Sequence, residues 1–368
     1  MNWNSKTRSV GLLLTAGIAL GQPAQWERHM REAASLEKAS RYPEARDACQ
    51  LALQDEDGQS PDSAVRKGVT WNNLAFLNRY LGNYREAREQ YEKALDLFKN
   101  TPGARSSQYA STLHNLAALD KEQGKLDEAI RQFRRALSIR EEILGENDPD
   151  TAKTLNSLAA VHTVQGRYAE AERLCRRALA IEEKALGREH PEVSATLDNL
   201  ASIYRRRSQF KTALDLSLRA YQIARNAYGD RHPIACLRAN QLAVTYWNLQ
   251  RFTEAYELLR GTLEIQLQTL GEDNPDAAAT MANLAAVYSH QKAPREAEAL
   301  YRRALTILER ACANNQKLAA ILSSYAWHLR HIGRKSEAKD LEARAASISP
   351  GRHDRLTVEV SDLLSPRR

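Results

Sequence analysis

A 42-residue period constrains this chain more than any other feature. Ala recurs at Ala45, Ala87, Ala129, Ala171, Ala213, Ala255, Ala297 and Ala338, in six steps of 42 and one of 41. A second Ala follows seven residues later at Ala52, Ala94, Ala136, Ala178, Ala220, Ala304 and Ala345, with Thr262 the exception. Upstream, a Leu-Ala pair returns at Leu74-Ala75, Leu116-Ala117, Leu158-Ala159, Leu200-Ala201, Leu242-Ala243 and Leu284-Ala285. A fixed period of this length marks stacked supersecondary units, because each unit leaves an apolar face that only a neighbour covers.

Each copy reads as two helices. Leu155, Leu158, Ala159 and Val161 share one face of the first. Ala171, Leu174, Cys175, Ala178 and Leu179 line a stripe of the second. Gly82, Gly124, Gly166 and Gly333 break the pair, while Ser208, Gln250 and Lys292 stand at that place in three copies. With only 16 Gly and 11 Pro, the chain lacks the turns of an all-β fold. A mean hydropathy of −0.58 and the lack of any 18-residue apolar run exclude a polytopic membrane protein.

The links repeat too. Gly145, Gly187, Gly229 and Gly271 sit where a long second helix ends and a left-handed residue is wanted. Pro149, Pro191, Pro233 and Pro275 follow four residues on, placed to open the next helix. Asp148, His190, His232 and Asn274 precede them as capping residues. The acidic links GENDPD and GEDNPD lack the ligand spacing of a calcium loop, and the two His lie in separate links. No metal and no cofactor is expected.

The order Leu-Ala, Tyr, Gly, Tyr, Ala, bulky residue, Ala resembles the tetratricopeptide repeat. Lines such as NSLAAVHTVQGRYAEAERLCRRALAIEEKALGREHP are similar to the longer repeats of kinesin light chains and their bacterial relatives. The resemblance covers about residues 25–348. It implies an all-α fold, a right-handed α-solenoid of about eight helix-turn-helix repeats, whose first helices line a concave peptide-binding groove. Glu342 departs from the bulky apolar slot in the eighth copy, which suits a terminal repeat facing water.

That geometry nominates a ladder on the first helices. Its amides are Asn73, Asn115, Asn156, Asn199, Asn240 and Asn283. Its cations are Arg79, Lys121, Arg205 and Arg206, and Trp247 is its aromatic anchor. An amide both donates and accepts, so a row of them can hold a peptide main chain regardless of sequence. The same row can equally bridge neighbouring helices. The guanidinium fork suits acidic side chains. Trp247 reads either as an anchor for a partner or as packing bulk. Asn115 and Lys153 match two elements of a carboxylate clamp. Ser157, Asn72 and Phe76 stand where its Arg, Lys and Asn belong, so no clamp is read.

No phosphate loop, zinc-protease motif or nucleophile elbow is present, which argues against an enzyme. The four Cys fall on no adjacent facing helices and read as buried thiols. A charge of +7, from 53 basic and 46 acidic residues, permits an acidic partner without demanding one. The expected function is a non-enzymatic protein-interaction scaffold holding an extended, acidic segment. The alternative is a single-stranded nucleic-acid binder, since helical-repeat arrays also read RNA.

The two ends differ from the array. Lys6 and Arg8, then the apolar run Val10–Leu20 and the small residues Ala19 and Gly21, have the order of a signal peptide over 1–21. Export to the periplasm or outside follows from that reading, and a cytoplasmic location if the run is instead a first helix. Residues 349–368 form a tail whose segment RLTVEVSDLL alternates apolar and polar residues. A disordered terminus is the default, and docking as an extended segment the alternative.

Overall fold

The computed structural model describes residues 25–39, 41–56, 62–99, 106–310 and 316–348. The predicted signal, the tail and Cys312 lie outside the described residues. Among the described residues the fold is all-α, with sixteen helices and no strand. The described residues fall into two compact units, divided between Glu146 and Asn147.

The first unit holds α1 (Gln25–Lys38), α2 (Tyr42–Gln54), α3 (Ser63–Tyr80), α4 (Tyr84–Lys99), α5 (Ser107–Glu122) and α6 (Leu126–Leu144). Odd and even helices pair, and each pair packs on the next. Trp26, Met30, Cys49, Val69, Leu77 and Phe98 share one core. Trp26 Nε1 donates to Thr70 Oγ1 at 2.9 Å and ties α1 to α3. Tyr91, fully buried, fills the slot beside the paired Ala87 and Ala94.

The second unit holds α7 (Pro149–Val164), α8 (Tyr168–Leu186), α9 (Val193–Arg206), α10 (Phe210–Tyr228), α11 (Pro233–Asn248), α12 (Phe252–Leu270), α13 (Pro275–His290), α14 (Pro294–Arg310), α15 (Gln316–His331) and α16 (Lys335–Ile348). Repeated surface pairs join its copies. Tyr204 donates to Glu172 at 2.6 Å and Tyr325 to Glu298 at 3.0 Å, while Tyr256 meets Tyr288 at 3.4 Å.

The turn chemistry follows the sequence. Arg167 N bonds His162 O and Gly166 N bonds Thr163 O, the paired closure that satisfies the last carbonyls of a helix. Gly166 has φ +75° there. Ser208, Gln250 and Lys292 hold the same turn at φ 59°, 61° and 59°, so the turn survives loss of its Gly. At the links, Gly145 and Gly187 do have positive φ, but with ψ near extended values (162° and 153°). That region is open to Gly almost alone, and it differs from the left-handed helical cap expected.

Asp148, His232 and Asn274 each accept a main-chain N–H two residues on, at 2.8, 3.2 and 2.8 Å. His190 accepts from Glu192 N at 3.3 Å in the same way. Yet α9 begins at Val193, two residues after Pro191. Bonds from Val193, Ser194 and Ala195 to carbonyls three residues back tighten its first turn, and Ser194 Oγ reaches Pro191 O at 2.6 Å.

Candidate functional site

The first helices are buried over most of their circumference, so each offers the outside one narrow stripe. On α7 it consists of Lys153, Ser157, Ala160 and Val164, all half-buried. The 42-residue counterparts on α9 are Ala195, Asn199, Ser202 and Arg206, with Ala195 exposed and Ser202 9% exposed. On α11 and α13 the middle of the stripe closes. Val244 and Ala286 are buried and Trp247 packs against them. Trp247 also meets Phe252 and His290 edge-on, with ring centres 4.9 and 5.5 Å apart. Leu237, one turn before the predicted ladder, is 44% exposed. A ladder counted from the Leu-Ala pair does not reach it, because Leu237 lies five residues before Leu242. Its register mates Lys153, Ala195 and Ala279 show that the stripe extends that far.

Most predicted amides are engaged between helices. Asn73 and Asn115 are 0% and 2% exposed. In the first unit, Asn115 Nδ2 donates to Asn72 Oδ1 at 3.1 Å, and Asn72 Nδ2 to Asn73 Oδ1 at 3.1 Å. In the second, Asn283 Nδ2 donates to Asn240 Oδ1 at 3.3 Å, and Asn240 Nδ2 to Thr280 Oγ1 at 2.7 Å. Asn156 donates to Thr196 and to Glu182. Asn156 and Asn240 sit one residue off the stripe, turned toward the following helix. Asn199 lies on the stripe, half-buried.

The cations divide likewise. Arg79 sits 3.8 Å from Glu122 and over the rings of Phe76 and Tyr80, at 5.3 and 5.1 Å. Lys121 is half-buried, and burial pushes its pKa down against the pull of Glu122. Arg205, 4% exposed, donates to Gln241 Oε1 at 2.7 Å and Thr245 Oγ1 at 3.2 Å. Arg238 pairs with Asp198 at 2.8 Å, and Lys153 with Asp150 and Glu192 at 3.2 and 3.3 Å. Arg206 differs. Its Nε and Nη2 have no hydrogen-bond partner.

Among the described residues, no group of three or more His, Cys, Asp or Glu is placed to hold a metal ion. No described helix is long and apolar enough to cross a membrane. Cys49, Cys175 and Cys236 are free and buried, and burial pushes the Cys49 and Cys175 thiols up to about 12. Thiols held protonated are poor nucleophiles.

Comparison with known proteins agrees with this architecture. The family described as Tetratricopeptide repeat matches residues 67–142, 150–226 and 233–310, and a second profile of the same description matches 114–185. Among solved structures, the apo quorum sensor NprR from B. thuringiensis is 14% identical, with a TM-score of 0.61 over 88% of this chain and 87% of that one. The Rap conjugation gene regulator of plasmid pLS20, solved with the Phr* peptide, is 13% identical, with a TM-score of 0.60 over 94% and 97%. A putative kinesin light chain from Podosopora anserina, with nearly identical TPR-like repeats, is 26% identical over 55% of this chain and 95% of its own, at a TM-score of 0.46. No curated protein matches. The chain belongs to the tetratricopeptide repeat family.

Proposed function

We propose that this chain is a non-enzymatic scaffold that holds an extended, acidic segment of another protein along the stripe of α7 and α9. Arg206 carries the reading. Arg79 pairs with Glu122 and Arg205 bonds Gln241 and Thr245, whereas two buried guanidinium nitrogens of Arg206, Nε and Nη2, have no hydrogen-bond partner. A charged fork kept from water without a partner is costly, and a carboxylate from outside removes that cost. Asn199 and Ser202 supply polar groups beside it, and the small Ala160 and Ala195 let a main chain approach. The Phr* peptide held by a protein of this fold is compatible with a peptide here. Export remains part of the proposal and rests on residues 6–21 of the sequence alone.

The test is an array of extended peptides, acidic and neutral, read by fluorescence anisotropy against the full chain and Arg206→Glu. Acidic peptides should bind, and the variant should lose them. Equal binding by the variant, or cross-links confined to the even-numbered helices, would remove the site. Tighter binding of single-stranded RNA, falling steeply with salt, would favour the nucleic-acid alternative. N-terminal sequencing of the mature protein decides the export reading, and an intact Met1 overturns it.

A further inference from the structure

The joint between α7, α8 and α9 contains a carboxyl group that the stripe does not use. Glu182 lies on α8 and is 2% exposed. Thr196 of α9 donates its hydroxyl to Glu182 Oε2 at 2.6 Å. Asn156 of α7 donates Nδ2 to Glu182 Oε1 at 3.2 Å and also bonds Thr196 Oγ1. Three helices thus meet on one carboxyl, and both of its hydrogen bonds come from neutral groups. A carboxyl taken from water on such terms favours its protonated form.

The chain supplies its own comparison two copies later. The counterparts of Asn156, Glu182 and Thr196 are Asn240, Gln266 and Thr280, each 84 residues on. Thr280 donates to Gln266 Oε1 at 2.7 Å, and Asn240 Nδ2 to Thr280 Oγ1 at 2.7 Å. There α11, α12 and α13 meet on the Thr280 hydroxyl, and the α12 member is a neutral amide. A Gln side chain carries N–H donors, and an ionised Glu carries none. The Glu182 joint has a use for a donor, since Asn156 Oδ1 is buried without a partner. Its counterpart Asn240 Oδ1 accepts from Asn283 at 3.3 Å.

We infer that Glu182 is a proton-operated latch. Protonated, it holds α7, α8 and α9 together, as a neutral Gln266 occupies the equivalent joint of α11, α12 and α13; ionised, it loosens that one joint.

The surrounding charges come from every packed element. On α7, Lys153 holds Asp150 and, ahead of α9, Glu192. On α8 stand the Cys175 thiol and Glu183, which Arg219 of α10 pairs at 2.7 Å and Arg188 of the following link approaches at 3.8 Å. Burial is the largest influence and holds the Glu182 carboxyl up at about 7. Thr196 and Lys153 oppose it, while Glu192 and Glu183 reinforce it. From the ordinary 4.5 up to about 7, the folded joint therefore keeps a proton that the unfolded chain has released. Stability falls as pH rises through that window. The latch does not depend on the proposed function. Ser157 of α7 and Asn199 of α9 belong to the stripe, so the same proton would set how that stripe is held.

Amide hydrogen exchange of the full chain, corrected for intrinsic rates, tests this without any partner. Protection in α7–α9 should fall roughly ten-fold between about pH 5.5 and about pH 8 and stay level in α11–α13. Glu182→Gln should abolish the fall, and Gln266→Glu should create one in α11–α13. Thr196→Val removes a donor that favours the ionised form, so it should move the midpoint up. An unchanged response in Glu182→Gln overturns the latch, as does a carboxyl titration of Glu182 by NMR at the ordinary 4.5. If Glu182→Gln does not fold, the other two variants decide. No new response in Gln266→Glu, or a lower midpoint in Thr196→Val, refutes the inference.

Discussion

Arg205 and Arg206 are consecutive at the end of α9, yet they serve different ends. Arg205 reaches into α11 and donates to Gln241 Oε1 at 2.7 Å, whereas Arg206 stands on the stripe with Nε and Nη2 unbonded. One residue turns a helix by about 100°, which separates a tie into α11 from a fork on the stripe whose Nε and Nη2 are unbonded.

The two arginines should therefore separate in mutagenesis. Arg205→Ala should cost about 2 kcal/mol of stability, because buried charge-assisted hydrogen bonds to Gln241 and Thr245 are lost. Arg206→Ala should leave stability unchanged or raise it, because an unpaired buried guanidinium is removed, and should weaken an acidic peptide. Denaturant titration beside peptide anisotropy makes the comparison. Loss of stability in both variants would show that Arg206 is structural.

The Asn ladder gives a second contrast. Asn115→Ala removes the donor to Asn72 Oδ1, and Asn72 is 0% exposed. It should cost about 1–2 kcal/mol, because a buried acceptor is left unpaired. Asn199→Ala, on the half-buried stripe, should cost little stability and reduce binding. Reduced binding with unchanged melting in Asn115→Ala would return that residue to the binding face.

Lys292 holds a left-handed turn at φ 59°. Lys292→Gly should raise stability by about 1 kcal/mol, since a side chain at positive φ costs energy that Gly does not. A rise in the denaturation midpoint with unchanged slope is the expected result. A fall would mean that Gly's unfolded-state entropy outweighs the strain.

Glu298 predicts an acid response of opposite sign to that of Glu182. Burial pushes its carboxyl up, but Arg334, Arg302 and Tyr325 outweigh this and hold it down at about 2. Arg334 and Tyr325 bond it at 2.7 and 3.0 Å. The folded pKa lies below the ordinary 4.5, so this contribution is present above that value and is lost as pH falls toward 2. Hydrogen exchange in α14–α16 should therefore rise between about pH 5 and about pH 3, and less so in Glu298→Gln.

The sequence by itself determined the helix pairs, their register and most of their ends, with α9 opening at Val193 rather than beside Pro191 as the exception at the starts. Those features arise within a few residues: apolar spacing along one helix, Asp148 or Asn274 capping a main-chain N–H two positions on, and Gly145 taking a positive φ that other residues avoid. Even the turns at Ser208, Gln250 and Lys292 were legible, because the surrounding period set them despite the missing Gly. The tertiary structure alone decided which side chains are spent. Asn156 and Thr196 are 40 residues apart, and Arg205 and Gln241 are 36 apart, so no local pattern pairs them. Whether an amide on a first helix meets a partner protein or the next helix depends on how neighbouring helices dock. A rotation of a single residue position carries a side chain from the stripe into the joint. Asn240, Asn156 and the Glu182 latch lie on the buried side of that division, and Asn199 and Arg206 on the other.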